Sequence, residues 1–215
     1  MAGGDISGVV VAPRFNIAPS QQVAVIRQDH PQNPPTLVMM RWGLVTSWSS
    51  GACDGPRPIN ARVETVDTKA TFSQSFRLRR CLVPVDGFFE WRRQGNRQPH
   101  YIHRGDGGLL ALAGLWDRWE SPDGDELLSF TILTTDANPM LQPVHNRMPV
   151  IMGGDTWREW LDPTQQDVAA VRALLRPLSQ DVLAMHPVTT RVNSPIHDDP
   201  QLLLPIREAR QGSLF

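Results

Sequence analysis

Short stretches of β-type residues, separated repeatedly by proline and glycine, dominate this chain of 215 residues. Proline and glycine interrupt long regular segments, so the sequence leaves room for only three helices. The connections between successive stretches are short and favour antiparallel pairing, because parallel strands need long crossovers. Polar turns at 94–97 and 121–125 each join two strands into a predicted hairpin. The predicted strands cover residues 22–26, 36–42, 81–92, 101–104, 109–119 and 127–134.

One of the three predicted helices carries a recognisable start signal. Thr156 and Glu159 have the spacing of a capping box, in which each side chain binds the backbone near the other residue. A helix that begins there places Trp157, Trp160 and Leu161 on one buried face. The predicted helices cover residues 64–76, 156–161 and 166–176.

Length and composition indicate one domain without an overall electrostatic preference. A chain of this length with 40% hydrophobic residues can build a single core that buries roughly 70% of the unfolded surface. We predict a single domain over residues 1–206, followed by a polar, frayed tail at 207–215. The formal net charge is −1, so a nucleic-acid site must be a local concentration of positive charge.

The cysteines, histidines and apolar stretches argue against several other classes of protein. Cys53 and Cys81 have neither the context of a disulfide framework nor metal-ligand spacing, which favours a reducing cytoplasm. The sequence shows no signal-peptide pattern and no stretch near the roughly 20 apolar residues of a membrane helix, so we expect a soluble cytoplasmic protein. His100 and His103 fall on a predicted strand and face opposite ways, so no metal site is predicted.

Glu90 lies among aromatic residues in a predicted strand. Strand alternation places Glu90 on the same face as Phe88 and opposite to Phe89 and Trp91. A carboxyl group that loses hydration beside aromatic rings has a raised pKa, which suits general acid or base catalysis near neutral pH. The alternative is an exposed glutamate whose aromatic neighbours all lie on the other face.

His145 is a second candidate for proton transfer. It lies in a loop in which Pro143 and Pro149 discourage regular structure on both sides. Imidazole is the side chain most easily poised for proton transfer at physiological pH. The alternative is a solvent-exposed loop histidine without a catalytic role.

Asn60 and Arg62 point to the same side if their segment is extended. An amide beside a guanidinium suits a sugar and its phosphate. Asparagine is also a common turn residue before a helix, which leaves a purely structural interpretation open.

Aromatic and basic residues elsewhere are candidates for contact with nucleic acid. Trp48 lies in a loop after a strand, where it could stack on a base, whereas Trp42 is interpreted as a core residue. Arg77, Arg79 and Arg80 could follow a nucleic-acid backbone. A solvated basic end of a helix, favourable to the helix dipole, explains the three arginines equally well.

Several segments resemble motifs of one protein family. In order along the chain they are residues 13–20 (PRFNIAPS), 42–44 (WGL), 58–65 (PINARVET), 80–91 (RCLVPVDGFFEW), 144–149 (VHNRMP), 186–188 (HPV) and 192–193 (VN). Their order and spacing are similar to those of the SOS response-associated peptidase (SRAP) family, whose members trap abasic sites in single-stranded DNA.

The resemblance implies a fold, a partner and a reaction. It implies a compact α+β domain rich in antiparallel, barrel-like β-sheet, with a few short helices. The implied partner is single-stranded DNA that contains abasic sites, without a cofactor or a metal, and we expect a monomer that associates with the nucleoid when engaged. In the family, the α-amine of an N-terminal cysteine, unmasked by self-removal of the initiator methionine, forms a Schiff base with the sugar aldehyde. The thiol then closes a thiazolidine.

The resemblance also assigns roles to individual residues. Asn60 would orient the sugar and the N-terminal residue, and Glu90 would transfer protons during methionine removal and opening of the sugar ring. His145 would assist formation or reversal of the Schiff base. The implied DNA-binding residues are Arg62 and Arg147 on flanking phosphates, Lys69, and Trp48 as a wedge beside the lesion. Arg77 and Arg80 join them as DNA-binding candidates from the basic cluster described above.

The start of the chain departs from the family pattern. Ala2 follows Met1 where the family carries cysteine, so we expect that the chain begins at an internal methionine and that a Cys-led segment has been lost. An α-amine at Ala2 could form a Schiff base and cleave the strand by β-elimination, but it could not close a thiazolidine. Cys81 is predicted to be buried and inert, and nothing adjacent activates Cys53.

Two functions therefore remain open from the sequence. The first is an enzyme that processes abasic sites covalently. The second is a non-catalytic module that binds single-stranded DNA.

Overall fold

The computed structural model describes residues 11–51, 57–93, 95–176 and 178–206, which contain ten strands and three α-helices. The strands are β1 (Gln22–Arg27), β2 (Thr36–Trp42), β3 (Asn60–Arg62), β4 (Arg80–Val85), β5 (Gly87–Trp91), β6 (Pro99–Arg104), β7 (Leu110–Glu120), β8 (Glu126–Asp136), β9 (Arg147–Pro149) and β10 (Leu183–Pro187). The helices are α1 (Ala70–Leu78), α2 (Thr156–Leu161) and α3 (Val168–Ala173).

Five strands close into a barrel in the order β2-β1-β4-β7-β8, and β2 also pairs with β8. All neighbours are antiparallel except the closing pair, in which Trp42 lies opposite Phe130 in parallel register. The two rings stack with centroids 6.5 Å apart, and Trp42 Nε1 donates a hydrogen bond to the Ile59 carbonyl. Trp42 therefore packs against the barrel core, as the sequence indicates, and ties the closing strand to the segment before β3.

Smaller pieces of sheet attach to this barrel and carry the candidate site. The strands β5, β6 and β10 form a second antiparallel sheet in the order β10-β6-β5. Short β3 runs parallel to β8, and short β9 runs antiparallel to it. Residues from three distant parts of the chain thus meet around the end of β8.

Two apolar clusters hold these layers together. The inner cluster fills the barrel and includes the fully buried Val25, Met40 and Phe130. The outer cluster lies between the barrel and the helices, where Phe76 and Trp160 are also fully buried. This arrangement confirms the predicted α+β fold with barrel-like antiparallel sheet.

The predicted strand 81–92 is wrong as a single element, because it is divided between two sheets. The chain leaves the barrel at the end of β4 and enters the second sheet at Gly87, after the exposed Asp86. A Cβ atom on Gly87 would overlap the Tyr101 ring and the Ile102 carbonyl. The glycine therefore permits the close approach to β6 through which one continuous β-type stretch contributes a strand to each of two sheets.

The first and third helices differ from the predicted bounds at both ends. The segment 64–69 forms turns, so α1 begins six residues later than predicted, and α3 is shorter than the predicted 166–176. The position of α2 is confirmed, but its capping box is wrong, because the Thr156 hydroxyl donates a 2.7 Å hydrogen bond to the Gly153 carbonyl. No helix in the described ranges is long and apolar enough to cross a bilayer.

Asn16, in the first of the family-like motifs, joins the two ends of the described chain. Its side-chain amide is buried and donates hydrogen bonds of 3.1–3.2 Å to the carbonyls of Val192, Ser194 and His197. Asp198 accepts hydrogen bonds from the backbone N–H groups of Phe15 and Asn16. Asn16 thus has a structural role that the local sequence does not reveal.

Replacing Asn16 with alanine is expected to lower the free energy of unfolding by about 2–3 kcal/mol, because it leaves buried carbonyl groups without a donor. For a chain of this size, that loss corresponds to a melting temperature lower by roughly 5–10 °C. Thermal denaturation followed by circular dichroism measures the change. Asn33→Ala, at an exposed loop position, is the matched control. Equal melting temperatures for the two variants would contradict the structural role.

Candidate active site

Glu90 lies near the end of β5 with its side chain turned towards the barrel. Phe88, two residues earlier, packs against the inner cluster, whereas Phe89 and Trp91 pack against a third cluster around Tyr101. The alternation predicted from the sequence is therefore confirmed. The opposite face of β5 is anchored by Trp91, whose Nε1 donates a 2.7 Å hydrogen bond to Asn193 Oδ1.

The Glu90 carboxyl group is largely withdrawn from solvent, with 23% of its side chain exposed. Burial raises its pKa above the ordinary value of 4.5. His145, the Trp91 N–H group and Arg93 partly oppose that rise, because each favours the ionised carboxylate. A carboxyl group in this setting can both donate and accept a proton near neutral pH.

His145 brings an imidazole ring to this carboxyl group from the loop between β8 and β9. Its Nδ1 lies 3.9 Å from Glu90 Oε1, although the two residues are 55 positions apart in the chain. The His145 backbone N–H donates a 2.9 Å hydrogen bond to the Leu141 carbonyl, which fixes the loop locally. The two candidates for proton transfer therefore form a pair in space.

Arg93 completes this group and was not predicted from the sequence. Its Nη2 lies 2.9 Å from His145 Nε2, and its backbone N–H donates a 3.2 Å hydrogen bond to the Val144 carbonyl. The local signal was weak, because Arg93 is one of two adjacent arginines after the strand. Only the position of the His145 loop shows that Arg93 contacts this imidazole, whereas the Arg92 guanidinium lies 3.4 Å from His100 Nε2.

Asn60 and Arg62 lie on β3 and point to its exposed side, while Ala61 between them is buried. The extended conformation that the sequence analysis assumed for this segment is therefore confirmed. In the register with β8, Asn60 lies opposite Ile132 and Arg62 lies opposite Thr134.

Arg147 lies on β9, on the other side of β8 from β3, and connects β3 to the His145 loop. Its guanidinium donates two hydrogen bonds to the Glu64 carboxylate, at 2.6 and 2.9 Å. It also donates to Asp136 Oδ1 at 2.8 Å and to the Thr134 carbonyl at 2.6 Å. Hydrogen bonds from Arg147 lower the pKa of Glu64. A phosphate bound by Arg147 would therefore replace at least one carboxylate partner.

The strand β8 sets the spacing of these groups. Asn60, Arg62 and Arg147 lie opposite Ile132, Thr134 and Asp136, which are alternate residues of the strand. At about 3.3 Å per residue, the three positions span roughly 13 Å along β8. The three backbone positions are therefore spaced along β8, with Asn60 and Arg62 on one side of that strand and Arg147 on the other.

Trp48 lies on a loop that is anchored on both sides. Its side chain is 63% exposed, the largest exposure of a tryptophan in the described residues. The neighbouring Ser47 N–H donates a 3.0 Å hydrogen bond to the buried carboxylate of Asp117. The Ser49 carbonyl accepts a 2.9 Å hydrogen bond from Trp119 Nε1. A fixed loop thus presents a solvent-exposed aromatic ring.

The remaining basic candidates separate into exposed and buried residues. Lys69 and Arg77 are exposed at the two ends of α1 and remain available to a ligand. Arg79 forms an ion pair of 2.9 Å with the buried Asp117. The assignment of Arg80 to DNA binding is wrong, because its side chain is buried at 3% exposure. The Arg80 guanidinium donates hydrogen bonds to the backbone carbonyls of Phe76, Arg77, Trp160, Asp162 and Gln165.

The structure tests only part of what the sequence predicts about cysteines and metals. Cys81 is fully buried, and burial raises the pKa of its thiol far above the ordinary value, so it is not a nucleophile. Ala2 and Cys53, as well as the tail at 207–215, lie outside the described residues. Within the described ranges, no three His, Cys, Asp or Glu side chains are grouped so that they could hold a metal ion.

Comparison with known proteins links this geometry to one family. Residues 5–195 match the family model described as SOS response associated peptidase (SRAP). The abasic site processing protein YoqW of Bacillus subtilis is 36% identical over 193 residues, which cover 89% of this chain and 85% of that protein. The abasic site processing protein HMCES of Gallus gallus is 35% identical over 228 aligned positions, covering 90% and 66%.

Solved structures show the same fold. A crystal structure of a protein from Bacteroides thetaiotaomicron superposes with a TM-score of 0.78 at 28% sequence identity, and the match covers 87% of this chain and 82% of that one. A phage-related protein from Bordetella bronchiseptica superposes with a TM-score of 0.67 at 31% identity, covering 84% of each chain.

Proposed function

This chain belongs to the SOS response associated peptidase family, and from that premise we propose that it processes abasic sites through covalent chemistry at Glu90 and His145. Recognition and processing of abasic sites is the function that the family and its relatives support. The observation that carries the chemical proposal is the 3.9 Å contact between a half-buried carboxyl group and an imidazole ring. Each residue lies in one of the family-like motifs.

The reaction begins with the open-chain aldehyde of an abasic deoxyribose. An amine of the protein adds to the aldehyde carbon, and a proton moves from nitrogen to oxygen to give a carbinolamine. The Glu90 carboxyl group then donates its proton to the carbinolamine hydroxyl, which leaves as water while the C=N bond forms. The product is a protonated Schiff base that links the protein to the DNA.

The pairing of Glu90 with His145 suits both the release of this proton and its later return to the carboxylate. The raised pKa of Glu90 favours the protonated form, which can donate a proton. Once that proton has been donated, a protonated imidazole at 3.9 Å would stabilise the carboxylate. Self-removal of an initiator methionine and a strand-cleaving lyase step belong to the same proposal, because both need proton transfer at this carboxyl group.

The residues on β3 and β9 supply contacts for the sugar and its phosphates. Asn60 would orient the sugar, and Arg62, two residues further along the exposed side of β3, would bind the adjacent phosphate. Arg147 is the second candidate for a phosphate, with Glu64 released on binding. Lys69 and Arg77 extend the positive surface along α1. We propose single-stranded DNA as the substrate, because a flexible strand can present the opened sugar to the Glu90–His145 pair.

Covalent trapping tests the proposal. The protein is incubated with a single-stranded oligonucleotide that contains one abasic site, with and without borohydride, and the products are separated under denaturing conditions. A matched oligonucleotide with a tetrahydrofuran analogue, which has no aldehyde, is the control. We expect a covalent complex with the abasic strand alone. Retention of DNA without any covalent product would instead indicate a binding module and would overturn the proposal.

Replacing Trp48 with alanine is expected to weaken binding of single-stranded DNA about tenfold, because stacking on one base contributes about 1–3 kcal/mol. The melting temperature should stay the same, since the ring is exposed. Fluorescence anisotropy with the tetrahydrofuran oligonucleotide at fixed ionic strength measures the affinity. Leu109→Ala removes another exposed apolar side chain and is the control. Equal affinities for both variants would show that Trp48 does not stack on DNA.

A further inference from the structure

Arg93 reaches His145 from the end of β5, through both its backbone and its side chain. The backbone N–H group donates to the Val144 carbonyl, and the guanidinium Nη2 lies 2.9 Å from His145 Nε2. One residue thus connects the strand that carries Glu90 to the loop that carries the imidazole.

The chemistry of this contact determines which imidazole nitrogen carries the proton. A guanidinium group has only N–H donors and stays charged at physiological pH, so Nε2 must be the acceptor. The neutral imidazole ring then carries its proton on Nδ1. That nitrogen lies 3.0 Å from the Arg147 carbonyl, to which it can donate, and 3.9 Å from Glu90 Oε1. The Arg147 backbone N–H also lies 3.1 Å from Nδ1 and favours the opposite tautomer, so the Arg93 contact decides between the two forms.

We propose that Arg93 is a positioning residue that holds His145 in the Nδ1–H tautomer, with Nδ1 3.9 Å from Glu90 Oε1. The inference rests on the proposed function for its catalytic consequence, whereas the tautomer itself is a property of the free protein. The guanidinium contacts Nε2 of the ring, and its charge also favours the ionised form of Glu90.

The charges around the ring favour this arrangement. Glu90 faces His145 from β5, and Arg93 faces it from the segment that follows the same strand. From β9, Arg147 presents its backbone, while its guanidinium binds Glu64 and Asp136. A proton on Nε2 would remove the acceptor of the Arg93 contact, which favours the proton on Nδ1.

Nuclear magnetic resonance provides a direct test that does not depend on activity. The ring ¹⁵N chemical shifts of His145, assigned by comparison with a His145→Gln variant, report which nitrogen carries the proton. We expect the Nδ1–H form in the wild-type protein and a mixture of both tautomers in Arg93→Gln. Arg93→Lys retains a charged donor and is expected to preserve the Nδ1–H form. The same tautomer ratio in the wild type and in Arg93→Gln would overturn the proposal.

Kinetics test the catalytic consequence. The single-turnover rate of covalent product formation is measured between pH 5 and 9 for the wild type, Arg93→Gln, Arg93→Lys and Arg97→Gln. Arg97 is an exposed arginine of the same turn, so its replacement controls for the loss of positive charge. For Arg93→Gln we expect a rate about tenfold lower than for the wild type. Arg93→Lys should restore the wild-type rate.

Two other experimental outcomes would separate the role of Arg93 from the proposed function. Weaker binding of the tetrahydrofuran oligonucleotide with an unchanged tautomer ratio would mean that Arg93 contacts a phosphate, and the positioning role would be wrong. Absence of covalent product from the wild-type protein would refute the proposed function, while the tautomer measurement would still decide the role of Arg93.

Discussion

Glu90→Gln is expected to reduce the rate of covalent product formation by about 10²–10⁴-fold, the usual contribution of a general acid or base. The amide keeps the size of the carboxyl group but cannot donate its proton to the leaving hydroxyl. Binding of the tetrahydrofuran oligonucleotide should persist, because that ligand needs no proton transfer. Glu126→Gln, which removes an exposed carboxylate at the start of β8, is the matched control.

The same substitution is expected to stabilise the folded protein at neutral pH. Burial raises the pKa of Glu90 in the fold, so the protonated form is the one that folding favours. Its contribution to stability is fully present below the unfolded pKa, near 4.5, and is lost as pH rises through the higher folded value. Glutamine avoids that loss. We therefore expect a higher melting temperature for Glu90→Gln than for the wild type at pH 7.

Thermal denaturation of both proteins between pH 4 and 8 measures this effect. The two melting curves should nearly coincide at pH 4 and separate as pH rises. An active Glu90→Gln variant would exclude Glu90 as the proton donor. A variant that loses stability at neutral pH would show instead that the ionised carboxylate stabilises the fold, and would contradict the burial argument.

Arg80→Met is expected to destabilise the protein by about 3–5 kcal/mol, the largest loss of stability among these variants. Methionine keeps the apolar stem of the side chain. It removes the N–H donors that the guanidinium supplies to several backbone carbonyls, among them those of Phe76, Trp160 and Asp162. Burial lowers the pKa of Arg80 to about 10, so the guanidinium is still charged at neutral pH. The melting temperature should fall by roughly 10 °C.

Chemical denaturation, with the midpoint and slope fitted separately, measures the loss. Arg77→Met is the control, because Arg77 lies in the last turn of α1 but is exposed. Arg80→Lys should recover only part of the stability, since an ammonium group cannot reach the same set of carbonyls as the planar guanidinium. If Arg80→Met is as stable as Arg77→Met, the contacts of Arg80 do not hold α2 on the barrel.

Patterns within a few residues were sufficient for much of the fold. The strand 36–42 and the helix 156–161 have the bounds that the sequence predicts. Alternation along β5 placed Glu90 on the face of Phe88, because residues two apart in a strand share a face. The two hairpins followed from short turns. Each of these features depends on neighbouring residues, so a single sequence contains the information.

Long-range contacts explain the errors. The three-residue strands β3 and β9 exist because β8 supplies their hydrogen-bonding partner, and their own residues carry no strand signal. The stretch 81–92 reads as one strand, but its two halves pair with different partners. Arg77 and Arg80 look equivalent in the sequence. Only the packing of α2 against β4 buries one of them and leaves the other exposed.

The candidate site also combines features set by neighbouring residues with features set by long-range contacts. The sequence alone determined that Glu90, His145 and Asn60 carry suitable chemistry, because side-chain chemistry and strand alternation are local properties. Tertiary structure alone decided that Glu90 and His145 lie 3.9 Å apart, that Arg93 covers one imidazole nitrogen and that Arg147 is bound to Glu64. The physical reason is that burial, pKa shifts and ion pairs depend on distances between residues far apart in the chain, and folding sets those distances.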